Sequence, residues 1–252
     1  MYWIRITLSL IVLSLALGCT GEKTSPAASN QAQLIIDQAI EAHGGDRFAN
    51  SKYQFEFRGK LYAWQTGEGR YLYTRSFEDS SGQIVDHLSN DGFYRTLNGE
   101  RILTSHEQDS MYSNSVNSVF YFIRLPHGLN DPAANKKYLG EESNKGKKYH
   151  KIEVTFEEEG GGKDFDDIFV YWFEQNNHTL DYLAYSYATD GGGLRFRKAY
   201  NARELGGIRF QDYVNYKAEL QAGRGSAELG QLYERNQLDS LSSIINESVS
   251  LQ

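Results

Sequence analysis

The chain has one cysteine, three prolines and two methionines in 252 residues. A single cysteine excludes an intramolecular disulfide, so stability must come from the core. It also excludes a CxxC redox pair and a cysteine-built zinc site. Proline stands only at positions 26, 126 and 132, so no proline-rich linker divides the chain. The formal net charge is −7, and such a chain is not drawn by overall charge to nucleic acid or anionic phospholipid. The N-terminal apolar stretch Ile6–Leu17 is twelve residues long, well short of the roughly 20 a spanning helix needs. There is no Gly-x-Ser-x-Gly elbow and no phosphate loop. The six histidines (His43, His87, His106, His127, His150 and His178) are scattered, none at metal-ligand spacing from another. These absences leave no catalytic constellation, no metal and no cofactor to expect, and a non-enzymatic role is the reading they favour.

What is present begins at the N-terminus. Arg5 supplies a positive start, Ile6–Leu17 an apolar stretch and Gly18 a small residue before the cut, which together describe an export signal over residues 1–18. The run Leu15-Ala16-Leu17-Gly18-Cys19 resembles a bacterial lipobox. The resemblance implies cleavage before Cys19 and lipidation of that residue, against the rival of an ordinary secretory signal with an incidental cysteine. A diacylated cysteine carries the two chains that stable anchoring needs. Thr20 in place of Asp implies sorting to the outer membrane, with the protein facing the periplasm. Residues 19–30 lack large apolar side chains and read as the lipidated Cys and a flexible tether. Residues 31–252 then form a single domain.

Apolar residues at helical spacing predict a helix over Asn30–His43, with Asn30 as N-cap and Gly44-Gly45 as its stop. Period-two alternation predicts strands at Tyr53–Leu61, Arg70–Phe77, Gln83–Leu88, Phe93–Leu97 and Arg101–Thr104. Asn98-Gly99 is a two-residue hairpin signal. A helical stripe of Tyr112, Val116, Val119, Phe120 and Ile123 interrupts the alternation over Met111–Leu125, followed by a loop to Lys137. Strands return at Tyr149–Glu157, Asp167–Gln175, Leu180–Ala188, Leu194–Asn201 and Gly207–Lys217, with a helix near Ala227–Arg235 and a last strand within Leu238–Leu251. Short connections make neighbours antiparallel. The fold class is α+β: a large twisted antiparallel sheet with an N-terminal helix and a mid-chain helical insertion.

That order of elements resembles the LolA/LolB-like lipoprotein carrier superfamily. So does Lys137-Tyr138-Leu139-Gly140-Glu141-Glu142 followed by Gly146-Lys147-Lys148-Tyr149-His150-Lys151-Ile152. The stretch Gly160–Tyr216 is similar to an uncharacterised family of bacterial lipoproteins placed near that superfamily. The resemblance implies an open half β-barrel around an apolar cavity closed by helices. It carries over no catalytic site.

The aromatic load, 18 Tyr and 13 Phe, is where ligand chemistry would lie. Pairing Gln175 with Leu180 sets Trp172 opposite Leu183 and Val170 opposite Tyr185, and it sets Phe173 and Tyr171 with Tyr182 and Ala184 on the other face. Both faces come out apolar, so one can line a cavity and the other can be ordinary core. The stripe Val116, Val119, Phe120 and Ile123 is expected over the mouth of the sheet. Cavity candidates are therefore Val116, Val119, Phe120, Ile123, Val170, Trp172, Leu183, Tyr185 and Arg197. Arg195 and Arg197 are expected to stack on Tyr187 and Tyr185. Two glycine triplets, at 160–162 and 191–193, share an acidic rim with Glu157–Glu159, Asp164, Asp166, Asp167 and Asp190. Solvated turns are the favoured reading there over a Ca²⁺ site. The leading functional expectation is binding of an apolar or amphipathic molecule, such as a lipid or acyl chain. Its alternatives are a structural or assembly component with a packed sheet, and an enzyme acting on envelope lipids or glycans.

Overall fold

The structure is a computed structural model that describes residues 26–159, 165–188, 191–219 and 224–252. Cys19, Gly160–Gly162, Asp164 and Asp190 lie outside those residues.

The first helix, α1, runs Pro26–Ala42, so it starts four residues before the expected Asn30 cap, inside the segment expected as tether. Six strands follow as a meander: β1 (Lys52–Phe57), β2 (Lys60–Gly67), β3 (Arg70–Asp79), β4 (Gly82–Ser89), β5 (Gly92–Leu97) and β6 (Glu100–Ile102). The single strand expected over 53–61 is in fact a hairpin. Arg58 and Gly59 both take positive φ, 52° and 69°, which suits a two-residue turn between right-twisted strands. Asn98 and Gly99 do the same at 51° and 85°, as their sequence predicts.

Helix α2 spans His106–Ile123. It starts earlier than the apolar stripe because Ser105 and Gln108 form a capping box, each side chain bonding the other's backbone N–H. A second meander follows: β7 (Ala134–Asn144), β8 (Lys147–Phe156), β9 (Ile168–Glu174), β10 (Leu180–Tyr187), β11 (Gly193–Leu205) and β12 (Ile208–Ala218). Part of the loop expected before Lys137 is thus strand β7. After the short helix α3 (Leu229–Glu234), the last expected strand is two strands, β13 (Asp239–Ile244) and β14 (Glu247–Leu251).

Those last two strands determine the architecture. β13 adds to β12 and β14 adds to β1, so each meander becomes a seven-stranded antiparallel sheet, ordered β14-β1-β2-β3-β4-β5-β6 and β13-β12-β11-β10-β9-β8-β7. The connection at 245–246 carries the chain from one sheet to the other. Asn246 secures the seam: its N–H donates to Asp212 at 3.0 Å and its amide nitrogen to the Gln211 carbonyl at 3.1 Å. The Tyr53 hydroxyl also crosses it, donating to the Leu205 carbonyl at 2.9 Å. Strands β6 and β7 remain unpaired on their outer sides, so the barrel is open.

Helices α1 and α2 lie against the inner faces. α1 buries Ala32, Ile35, Ile36 and Ala39 on Ile152, Val154, Tyr171 and Phe173 of the second sheet. α2 buries Val116, Phe120 and Ile123 among Phe55, Tyr62, Trp64 and Tyr73 of the first sheet and Phe210 of the second. The second sheet is covered on its other face too, where α3 contributes Leu229 and Tyr233 over Val170, Trp172, Tyr182 and Phe196. Double coverage explains why β9 shows no alternation: Phe169 to Glu174 are all buried.

The β9–β10 register differs from the expected one. Tyr182 pairs with Trp172, Leu183 with Tyr171 and Ala184 with Val170. The Glu174 carboxylate accepts the backbone N–H groups of Asn176 and Asn177 at 3.1 and 2.8 Å, and Glu174 N–H donates to the Thr179 carbonyl. The turn therefore closes on Glu174 and Thr179, and the ladder shifts between Leu180 and Tyr182. Trp172 and Val170 thus share the face under α3 with Tyr182 and Ala184, and Leu183 lies on the other face with Tyr171.

Candidate functional site

Between α2 and the inner faces of both sheets lies a cleft of about 360 Å³. This volume falls within the ~300–1,000 Å³ range of small-molecule pockets. Its first wall comes from the β1–β2 hairpin, with Phe57, Arg58, Lys60 and Tyr62, and from Arg75 on β3. Its roof is α2, with Ser115, Ser118, Val119, Phe122 and Ile123. Its second wall is Arg197 on β11, Tyr213 and Asn215 on β12, Ile244 on β13 and Asn246 at the seam.

Arg58, Lys60, Arg75 and Arg197 line the cleft, and among the described residues no Asp or Glu does. Arg75 is paired with a carboxylate. Its Nε and terminal nitrogen donate to Asp86 at 2.8 and 2.6 Å, and its other terminal nitrogen donates to Ser115 on α2 at 2.7 Å. Asp86 also accepts from Arg95 Nε at 2.6 Å, and Arg95 lies 3.5 Å from the centre of the Tyr112 ring. One buried carboxylate and two arginines thus grip α2 from β3, β4 and β5, and the group keeps a net positive charge.

The other three cations have no carboxylate partner among the described residues. Arg58 lies 5.1 Å from the Phe57 ring centre and Lys60 lies 4.2 Å from that of Phe77. Burial, with the neighbouring Arg75 charge second, lowers the Lys60 amine below its ordinary value. Arg197 donates to the Tyr185 hydroxyl at 3.0 Å and stacks on Phe122, while its Nε is buried without an acceptor. The Asn215 carbonyl oxygen is likewise buried without a donor.

Of the residues singled out in the sequence, Val119, Ile123 and Arg197 line the cleft, and Tyr185 supports it through Arg197. Val116 and Phe120 are fully buried in the aromatic core instead, with Phe120 stacked 4.2 Å from Tyr73. Leu183 packs in the core beneath α1. Val170 and Trp172 are on the far face, where the Trp172 indole nitrogen donates to Glu142 at 3.0 Å. The expected stacking of Arg195 and Arg197 is present, 5.0 Å from Tyr187 and 5.3 Å from Tyr185. Period-two alternation runs on through Arg58-Gly59 and hides the turn, so the sequence does not single out the hairpin residues Phe57 to Tyr62 as a wall. Nor does it single out Phe122, which lies beside the apolar stripe rather than on it. No group of three or more potential metal ligands occurs among the described residues, and none of their helices is long and apolar enough to cross a membrane.

A model for a family of unknown function (DUF6503) matches residues 16–246. A search of curated proteins finds no match. Among solved structures the chain is similar to a LolA superfamily protein from Nitrosomonas europaea, with TM-score 0.51, 14% identity and coverage of 88% of this chain and 93% of that one. It is also similar to a putative outer membrane lipoprotein-sorting protein domain from Vibrio parahaemolyticus, with TM-score 0.45, 8% identity and coverage of 82% and 99%. The first likeness shows the fold, and the LolA-like open barrel expected from the order of elements is the architecture found.

Proposed function

This chain belongs to the DUF6503 family of unknown function, and we propose that it is a cell-envelope lipoprotein that binds an apolar or amphipathic molecule without chemically altering it. The observation that carries this reading is the cleft under α2. It is concave and roofed by a helix, and its walls interleave the rings of Phe57, Tyr62, Phe122 and Tyr213 with cationic, hydroxyl and amide side chains, a lining suited to a molecule with both apolar and polar parts. The fold shared with LolA superfamily proteins agrees with the reading. The lipobox-like run ending at Cys19 supports attachment through lipid, at the outer membrane and facing the periplasm.

Native mass spectrometry of the protein purified from its host membranes tests the binding. A co-purifying species of lipid mass, lost on delipidation and displaced by the neutral dye Nile red, is the expected result. A protein that carries no such species and binds no neutral apolar probe would be a packed structural component.

A further inference from the structure

We propose that the ligand of this cleft is an anionic amphiphile, an acyl chain bearing a carboxylate or phosphate head, held by Arg58, Lys60 and Arg197. The inference rests on the binding role proposed above and adds the chemistry of the head group. Its basis is a charge imbalance confined to one place. The chain as a whole is acidic, yet among the described residues the cleft gathers four cationic side chains and no carboxylate. Asp86 neutralises only part of the nearby charge, because it is shared between Arg75 and Arg95. On the first wall Lys60 stands beside Arg75 and the two cations repel one another, so an anion in the cleft next to them removes that cost.

Arg197 points to the same occupant. It is 8% exposed, and its Nε has no acceptor. Its guanidinium lines the cleft with no carboxylate partner among the described residues, and an oxyanion at the second wall would supply one. Guanidinium groups pair with carboxylate and phosphate oxygens in charge-assisted geometry. A free anion would satisfy these groups but leave Phe57, Val119, Phe122 and Ile244 unused. A plain alkyl chain would cover those residues and leave the cations unsatisfied. An amphiphile with an anionic head answers both sets.

Competition against bound Nile red separates the possibilities, using palmitate, methyl palmitate, lysophosphatidate and inorganic phosphate below micellar concentrations. Palmitate or lysophosphatidate is expected to bind about tenfold or more tighter than methyl palmitate, the range of one charged hydrogen bond. Raising salt should narrow that gap. The double variant Arg58→Gln, Lys60→Gln changes two side chains at the accessible end of the cleft. It should lose most of the preference, read as the ratio of the palmitate and methyl palmitate affinities. Equal affinity for palmitate and its methyl ester in the wild type would overturn the head-group assignment and leave the apolar site standing. Inorganic phosphate competing as well as palmitate would overturn the amphiphile in favour of a simple anion site. No competition by any chain would defeat this proposal and the binding role together.

Discussion

The Arg197 guanidinium lies 3.6 Å from the centre of the Phe122 ring, so a strand of the second sheet holds the last turn of a helix that also packs on the first. Cation–π contacts contribute about 0.5–2 kcal/mol depending on desolvation. Phe122→Leu keeps apolar bulk and removes the ring face, so it should cost about that much in a urea melt. Phe122→Ala should cost more and admit a bulkier probe to the cleft. A Phe122→Leu melt superimposable on the wild type would mean that the stacking holds nothing.

Phe120, two residues earlier, does a different job. It is fully buried and touches Phe55, Tyr62, Trp64 and Tyr73 at ring separations of 5.9, 5.9, 6.3 and 4.2 Å. Phe120→Ala should therefore carry the full cost of a core truncation, about 3–5 kcal/mol. This reverses the expectation that the whole stripe of α2 faces a partly empty cavity. A loss comparable to that of the half-exposed Val119→Ala would restore it.

The sequence foretold the element order, because alternation and helical spacing report burial along a chain, and most strands bury one face. It failed where tertiary pairing decides. The turn at Arg58-Gly59 places a non-glycine residue at positive φ, which composition does not announce. The exchange of β13 and β14 between sheets depends on which edges are vacant, and local pattern is silent about that. The β9–β10 register turned on side-chain capping by Glu174. Since one step of register changes which side chains share a face, that single shift separates Trp172 and Val170 from Leu183 and Tyr185. Arg75, Asp86 and Arg95 alternate normally along their strands, and only the sheet brings them together beneath α2.

That buried group gives a third prediction. Asp86 has no exposed side-chain surface and binds both Arg75 and Arg95. Asp86→Ala would strand two arginines in the interior, and removing one partner of a buried ion pair costs about 3–5 kcal/mol. Urea melts at low and high salt would measure it. A loss within the ~0–1 kcal/mol of an exposed ion pair would show that the arginines reach solvent instead.

Stability should also depend on pH through His43. Its Nε2 accepts the Leu180 N–H at 3.1 Å, and burial, then Arg209 and His127, hold its pKa down to about 3. The unfolded chain takes up the same proton near pH 6.5, so below that value the unfolded state binds more protons. The contribution of neutral His43 is therefore complete above about pH 6.5 and is lost as pH falls toward 3. His127, lowered to about 4 chiefly by burial, acts in the same direction. Each group can contribute a slope of up to about 1.4 kcal/mol per pH unit in that window. Melts at pH 7, 6 and 5 should show the decline, and His43→Gln, which can still accept the Leu180 N–H, should flatten it. A slope unchanged in that variant would place the dependence elsewhere.

The last prediction concerns attachment. Cys19 is the only thiol in the chain, and the apolar stretch before it is too short to span a bilayer. No described helix could substitute as a membrane span. Cleavage before Cys19 would remove Arg5 and leave the chain one charge more negative than −7, so its overall charge would not draw it to anionic lipid. Retention at the membrane should then depend on the acyl chains of one residue. Cys19→Ser is expected to abolish metabolic labelling with a fatty-acid analogue and to move the protein from the membrane fraction to the soluble one. Its urea melt should match the wild type, because residue 19 precedes the first helix, which begins at Pro26. If the serine variant still took up label, the lipid would sit elsewhere and the lipobox reading would fall. If it lost the label yet stayed with membranes, the folded domain itself would be the membrane-binding element.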